Sequence, residues 1–68
     1  PPMWDPEINR LFWLKKYQFM RKKAMNFYKE RKDSFGDINI DKLFPPPRSM
    51  TIEQLIEKKN QAKEFIRS

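Results

Sequence analysis

Neither cysteine nor histidine occurs in this 68-residue chain, and glycine occurs once. Without cysteine there is no disulfide, and without either residue there is no zinc site built on sulfur or imidazole. The same absences, with no glycine-rich phosphate loop, leave no nucleophile-and-base arrangement to assemble. The carboxylate pairs Asp5/Glu7, Glu30/Asp33, Asp37/Asp41 and Glu53/Glu57 fall at expected helix ends and on polar faces. Solvation and dipole compensation explain them there without acid–base chemistry. No enzymatic activity, cofactor, metal or small-molecule substrate is expected. Long apolar runs are lacking too: Leu11 to Leu14 is far short of the roughly 18 residues that a membrane-spanning helix requires.

What the chain has is an uneasy mixture. Hydrophobic residues make up 38%, aromatic residues 15% and charged residues 35%. That is too apolar for a solvated tail, yet a single core of this size seldom supplies more than about 3–5 kcal/mol. With disulfide and metal excluded, a partner is the remaining means of stabilisation. The net charge of +6 and the isoelectric point near 9.9 favour a polyanionic neighbour, nucleic acid before an anionic membrane or an acidic protein face. The numbering opens at Pro1 and not at methionine, so the chain reads as a processed protein or an excerpt.

Local signals predict an all-α chain that is not an independent globular fold: one long helix, an extended proline-containing connector and a shorter amphipathic helix. Residues 1–5 form an N-terminal extension. Asp5-Pro6-Glu7 starts the long helix, with a capping carboxylate, a proline where its missing N–H costs nothing, and a negative charge near the positive dipole end. No proline or glycine follows until Gly36, which suits a left-handed cap, so a basic, aromatic helix is predicted over 6–35. Pro45-Pro46-Pro47 denies helix to the connector over 36–50, whose Ile38, Ile40, Leu43 and Phe44 are suited to grooves on a neighbour. Thr51-Ile52-Glu53-Gln54 fits a capping box that opens the amphipathic helix over 51–68.

At 100° per residue, Trp13, Leu14, Tyr17, Met20, Ala24, Met25, Phe27 and Tyr28 share one broad side of the first helix. Ile8, Leu11, Phe12 and Phe19 fall on the other. A helix that is apolar on opposed sides needs more than one contacting surface. Contacts to partner proteins are therefore assigned to Ile8, Leu11, Phe12, Trp13, Tyr17, Phe19, Met20, Phe27 and Tyr28. Leu43 and Phe44 of the connector and Leu55, Ile56 and Phe65 of the last helix join them. Base stacking by the aromatic residues is the lesser reading, because they share their stripe with Met20 and Ala24.

The excess positive charge belongs to the first helix. Lys15, Lys16, Arg21, Lys22, Lys23, Lys29, Arg31 and Lys32 are opposed only by Glu30 between positions 15 and 32, whereas the remainder of the chain is nearly balanced. Lys15, Lys22 and Lys29 recur every seven residues along one stripe, a spacing that meets phosphates repeatedly. All eight are assigned to nucleic-acid phosphate, while Arg10 and Arg21 are also placed to grip a partner's carboxylates or phosphates. Phe12, Phe19 and Met25 have the spacing of a calmodulin-type target, a pattern common in basic aromatic helices.

Asp5-Pro6, then Leu11-Phe12 and a Lys/Arg-rich helix, resembles the opening of coupling factor 6 of the mitochondrial ATP synthase stalk; the Trp13-rich continuation departs from it. The residues themselves point to a structural subunit of a large ribonucleoprotein, foremost a mitochondrial ribosomal protein contacting several protein subunits and RNA. The competing class is a subunit of a purely protein complex, respiratory, ATP-synthase, chromatin or splicing. The expected location is intracellular, in the mitochondrial matrix or alternatively the nucleus. The isolated chain is expected to melt broadly and to associate as its concentration rises, and calorimetry with sedimentation checks this. A sharp monomeric transition contradicts it.

Overall fold

The computed structural model describes residues 5–67. The first four residues of the expected N-terminal extension, and Ser68, lie outside them. Helix α1 spans Pro6–Glu30, α2 Lys32–Phe35, α3 Ile40–Leu43 and α4 Ile52–Arg67. Among the described residues the secondary structure is helical, without strands.

The start of α1 is as the sequence indicates. The Asp5 side chain accepts from the Glu7 N–H at 2.9 Å, with Pro6 in the first turn. The end differs: α1 stops at Glu30, and Arg31 leaves helical geometry at φ −122°, ψ 28° before α2 resumes for one turn. No proline or glycine marks this break. The Arg31 guanidinium folds back over the Phe27 ring at 4.1 Å, and the change of direction brings Phe35 onto Phe65 with ring centroids 4.8 Å apart. Tertiary packing thus overrides local helix preference. Gly36 closes α2 with its N–H on the Lys32 carbonyl and takes a positive φ of 75°, but at ψ −156° it is extended and not the αL cap expected; only glycine adopts that conformation readily.

The connector is not extended throughout. Asn39 caps α3 by accepting from the Lys42 N–H at 3.2 Å, which places Ile40 and Phe44 four residues apart on one face. Both are buried, and burial of that face compensates the cost of one isolated helical turn. Pro45-Pro46-Pro47 remains outside any helix. In the capping box of α4, Gln54 N–H donates to Thr51 Oγ1 at 3.1 Å while Thr51 N–H donates to Gln54 Oε1 at 2.9 Å.

Helices α1 and α4 pack against each other, with the connector folded along them. Ala24 of α1 and Ala62 of α4 are wholly buried in one cluster with Tyr28, Ile40 and Phe44. Small side chains at a helix crossing allow close approach, and larger ones close the sides. Phe65 serves as the aromatic centre, 4.8 Å from Phe35, 5.5 Å from Phe44 and 5.6 Å from Phe27. Tyr17 and Leu55 are likewise inaccessible to solvent.

Prolines donate no hydrogen bond, and the connector's carbonyls have no ladder to join, so other donors must satisfy those it buries. Side chains of α1 do so. Tyr17 Oη donates to the Pro45 carbonyl at 2.6 Å, and Arg21 Nε donates to that of Phe44 at 2.7 Å. Arg10 donates to the carbonyls of Met50 and Arg48, and Tyr28 Oη shares its single proton between those of Ile38 at 3.3 Å and Gly36 at 3.4 Å. Lys58 of α4 reaches the Leu43 carbonyl at 3.0 Å.

Burial raises the Tyr17 phenol above its ordinary 10.0, and the Arg21 guanidinium opposes part of that rise. Below pH 10.0 both folded and unfolded chains keep this proton and its contribution to stability is intact. Above that value the unfolded chain releases the proton first, so stability falls as pH climbs toward and through the folded value. Tyr17→Phe is expected to cost about 2 kcal/mol at neutral pH, because the partly buried Pro45 carbonyl is left unpaired, and to decline less steeply in alkali than the parent. Urea titrations of both chains between neutral pH and strong alkali test this; equal declines contradict it.

Candidate interaction surface

The residues expected to meet partner proteins divide into distinct groups. Tyr17, Tyr28, Phe44 and Leu55 are buried within the chain. Trp13, Met20, Phe27, Ile56 and Phe65 are half-buried, packed at the margin of that interior. Ile8, Leu11, Phe12 and Phe19 are exposed by 45%, 50%, 52% and 61%, and Leu43 is exposed on α3. One apolar side of α1 is therefore covered by the chain itself. The opposed side is open.

That open side has an ordered pattern. Ile8, Phe12 and Phe19 fall within about 40° of one another around α1. Lys15, Lys22 and Lys29 border this stripe on one edge, Lys16 and Lys23 on the other, all five exposed. Lys16 Nζ lies 4.9 Å from the Phe12 ring centre and Lys23 Nζ 4.6 Å from that of Phe19, so ammonium groups cover aromatic faces by cation–π attraction. Within α1 no carboxylate intervenes between Glu7 and Glu30.

The eight cations assigned to phosphate do not form one set. Lys15, Lys16, Lys22, Lys23, Lys29 and Lys32 project from the surface. Arg21 is engaged within the chain, on the Phe44 carbonyl and on Asp41 Oδ1 at 3.1 Å. Arg31 lies over Phe27 and pairs with Glu30 at 3.2 Å. Arg10, considered for a partner's anions, serves the connector instead. The planar guanidinium fork satisfies adjacent carbonyls, a role for which the single ammonium of lysine is less suited. Sequence reasoning missed this use because the acceptors are backbone groups far along the chain, 23 residues away for Arg21 and 40 for Arg10. Met25, the third position of the calmodulin-like spacing, packs against the core, away from the exposed Phe12 and Phe19.

Two open grooves flank α1. One, of about 460 Å³, lies between α1 and α4 and is lined by Phe12, Lys15, Lys16, Phe19 and Met20 with Lys59 and Lys63. The other, of about 490 Å³, lies between α1 and the proline segment and is lined by Gln18, Arg21, Lys22, Met25, Asn26, Lys29, Pro46 and Pro47. Neither is lined by a carboxylate. The first has an apolar floor between cationic walls, while the second is bordered by lysines, a guanidinium and two amides. Among the described residues no group of acidic side chains is arranged to hold a metal ion, and no helix is long and apolar enough to cross a membrane.

No protein-family model, characterised protein or solved structure matches the chain.

Proposed function

We propose that the chain is a non-catalytic structural subunit of a large ribonucleoprotein assembly, in its specific form a mitochondrial ribosomal protein that bridges protein neighbours and rRNA. The supporting observation is the division of the open α1 surface into a lysine edge without carboxylates and an apolar stripe without cover. RNA phosphate lies along the groove beside the proline segment, met by Lys22 and Lys29 with Lys32 beyond them. Gln18 and Asn26 offer amide hydrogen bonds to sugar or phosphate oxygens between them. Protein neighbours cover Ile8, Leu11, Phe12 and Phe19. Its action is to hold surfaces together in an assembly, and no substrate is turned over.

A subunit of a purely protein complex is the second reading, favoured by the exposed apolar stripe alone, and it differs in its response to salt. For RNA oligonucleotides contacted through three phosphates, affinity is expected to fall about 20-fold between about 50 and 200 mM salt. Lys22→Glu/Lys29→Glu should weaken binding at low salt by more than tenfold and flatten the salt dependence by about two contacts. Filter binding at several salt concentrations measures both. RNA binding that is absent, or insensitive to salt and to these substitutions, removes the ribonucleoprotein reading.

A further inference from the structure

We infer that the groove between α1 and α4 is a docking site for an acidic amphipathic helix of a partner protein. The inference deepens the reading of the chain as an assembly subunit by assigning the chemistry of one protein neighbour. It concerns a different groove from the one given to RNA.

The floor of the groove is Phe12, Phe19 and Met20, and the distance from Phe12 to Phe19 along α1 is two helical turns, about 10 Å. That length receives the i, i+3, i+4 and i+7 side chains of another helix, the usual manner in which an amphipathic helix fills a hydrophobic groove. Two packed helices leave a furrow between them, and a third helix laid there completes a three-layered core around Met20. The walls then specify the flanks of the incoming helix. Lys15 and Lys16 stand on the α1 side, and Lys59 and Lys63 on the α4 side, with no carboxylate lining either wall. A partner helix with acidic residues on both borders of its apolar stripe matches all four, and like-charged partners are rejected.

Other polyanions fit this groove less well. Nucleobases stack on open ring faces, and one face of each of Phe12 and Phe19 already carries a lysine ammonium group. RNA also gains little from an apolar floor. A bilayer surface presses on convex features, whereas half-buried Met20 sits in a recess between two helices. Lys59 adds a constraint of its own: its Nζ lies 5.4 Å from the Trp13 ring centre, holding the half-buried side chain at the groove wall.

The test uses the full chain and a synthetic helical peptide with leucine at i, i+3, i+4 and i+7 and glutamate on both flanks, against a scrambled peptide of equal composition. Anisotropy of the labelled peptide and the NMR shift of the Met20 methyl are the readouts. The amphipathic peptide is expected to bind saturably, to move the Met20 signal and to exceed the scrambled peptide at least tenfold in affinity. Phe19→Ser and Lys63→Glu, both at exposed positions and checked for unchanged helicity, should each weaken it about tenfold. Lys22→Glu/Lys29→Glu should leave peptide affinity within about twofold of the parent, since the altered side chains lie outside this groove. Equal binding of the scrambled peptide, or indifference to Phe19→Ser and Lys63→Glu, overturns the proposal. So does displacement of the peptide, with the same Met20 shift, by phosphatidylserine vesicles or by polyuridine. Loss of RNA binding without loss of peptide binding would leave this site standing and remove the RNA reading alone.

Discussion

The arrangement of this chain depends on a shortage of backbone donors in its connector. Three consecutive prolines contribute none, and the carbonyls around them are folded against α1, where water does not fully serve them. Arg10, Tyr17, Arg21 and Tyr28 answer from one side of α1, each donating to a carbonyl of the segment that runs beside it. These bonds fix where the connector lies, and the connector fixes where α4 begins. Removing one would leave a partly buried carbonyl unpaired, which costs more than the net value of a typical hydrogen bond.

From that constraint follows the two-sided character of α1. The side that carries the donors also carries Ala24 and the packed aromatic rings, so it is consumed in holding the connector and α4. Phe65 then gathers Phe27, Phe35 and Phe44 around one ring, closing the end of the core nearest the α1–α2 break. The opposed side has no internal counterpart, and its apolar stripe stays in solvent between rows of lysine. The cations sort accordingly: Arg10 and Arg21 serve the connector's carbonyls, Arg31 lies over the half-buried Phe27 ring, and the lysines of α1 remain outside. A charge cluster that is uniform in sequence thereby becomes a structural set and a surface set.

Signals that act within four residues were legible in the sequence. The Asp5-Pro6 start, the Thr51/Gln54 box and the stop at Gly36 with its positive φ depend on neighbouring groups alone. The opposition of Ile8, Phe12 and Phe19 to Tyr17, Ala24 and Tyr28 follows from helical spacing and was legible too. The break at Arg31 and the turn at α3 were not, because each depends on a ring or face buried by distant residues: Phe35 on Phe65, and Ile40 with Phe44 in the cluster that includes Ala62. Asn39 was an available signal for α3, as a capping side chain ahead of Ile40. The internal roles of Arg10 and Arg21 were hidden because a guanidinium serving a remote carbonyl and one awaiting phosphate look alike in sequence.

The central claim is that one apolar side of α1 is satisfied within the chain while the other stays in solvent, to be covered, under the proposed function, by a neighbour. Hydroxyl-radical footprinting of the isolated chain and of the chain in its native assembly tests it most directly. The account predicts that Tyr17 and Phe44 are protected in both, whereas Phe12 and Phe19 are modified in the isolated chain and protected in the assembly. Equal modification of Phe12 and Phe19 in the two states, or modification of Tyr17 and Phe44 as readily as Phe12 in the isolated chain, would contradict it.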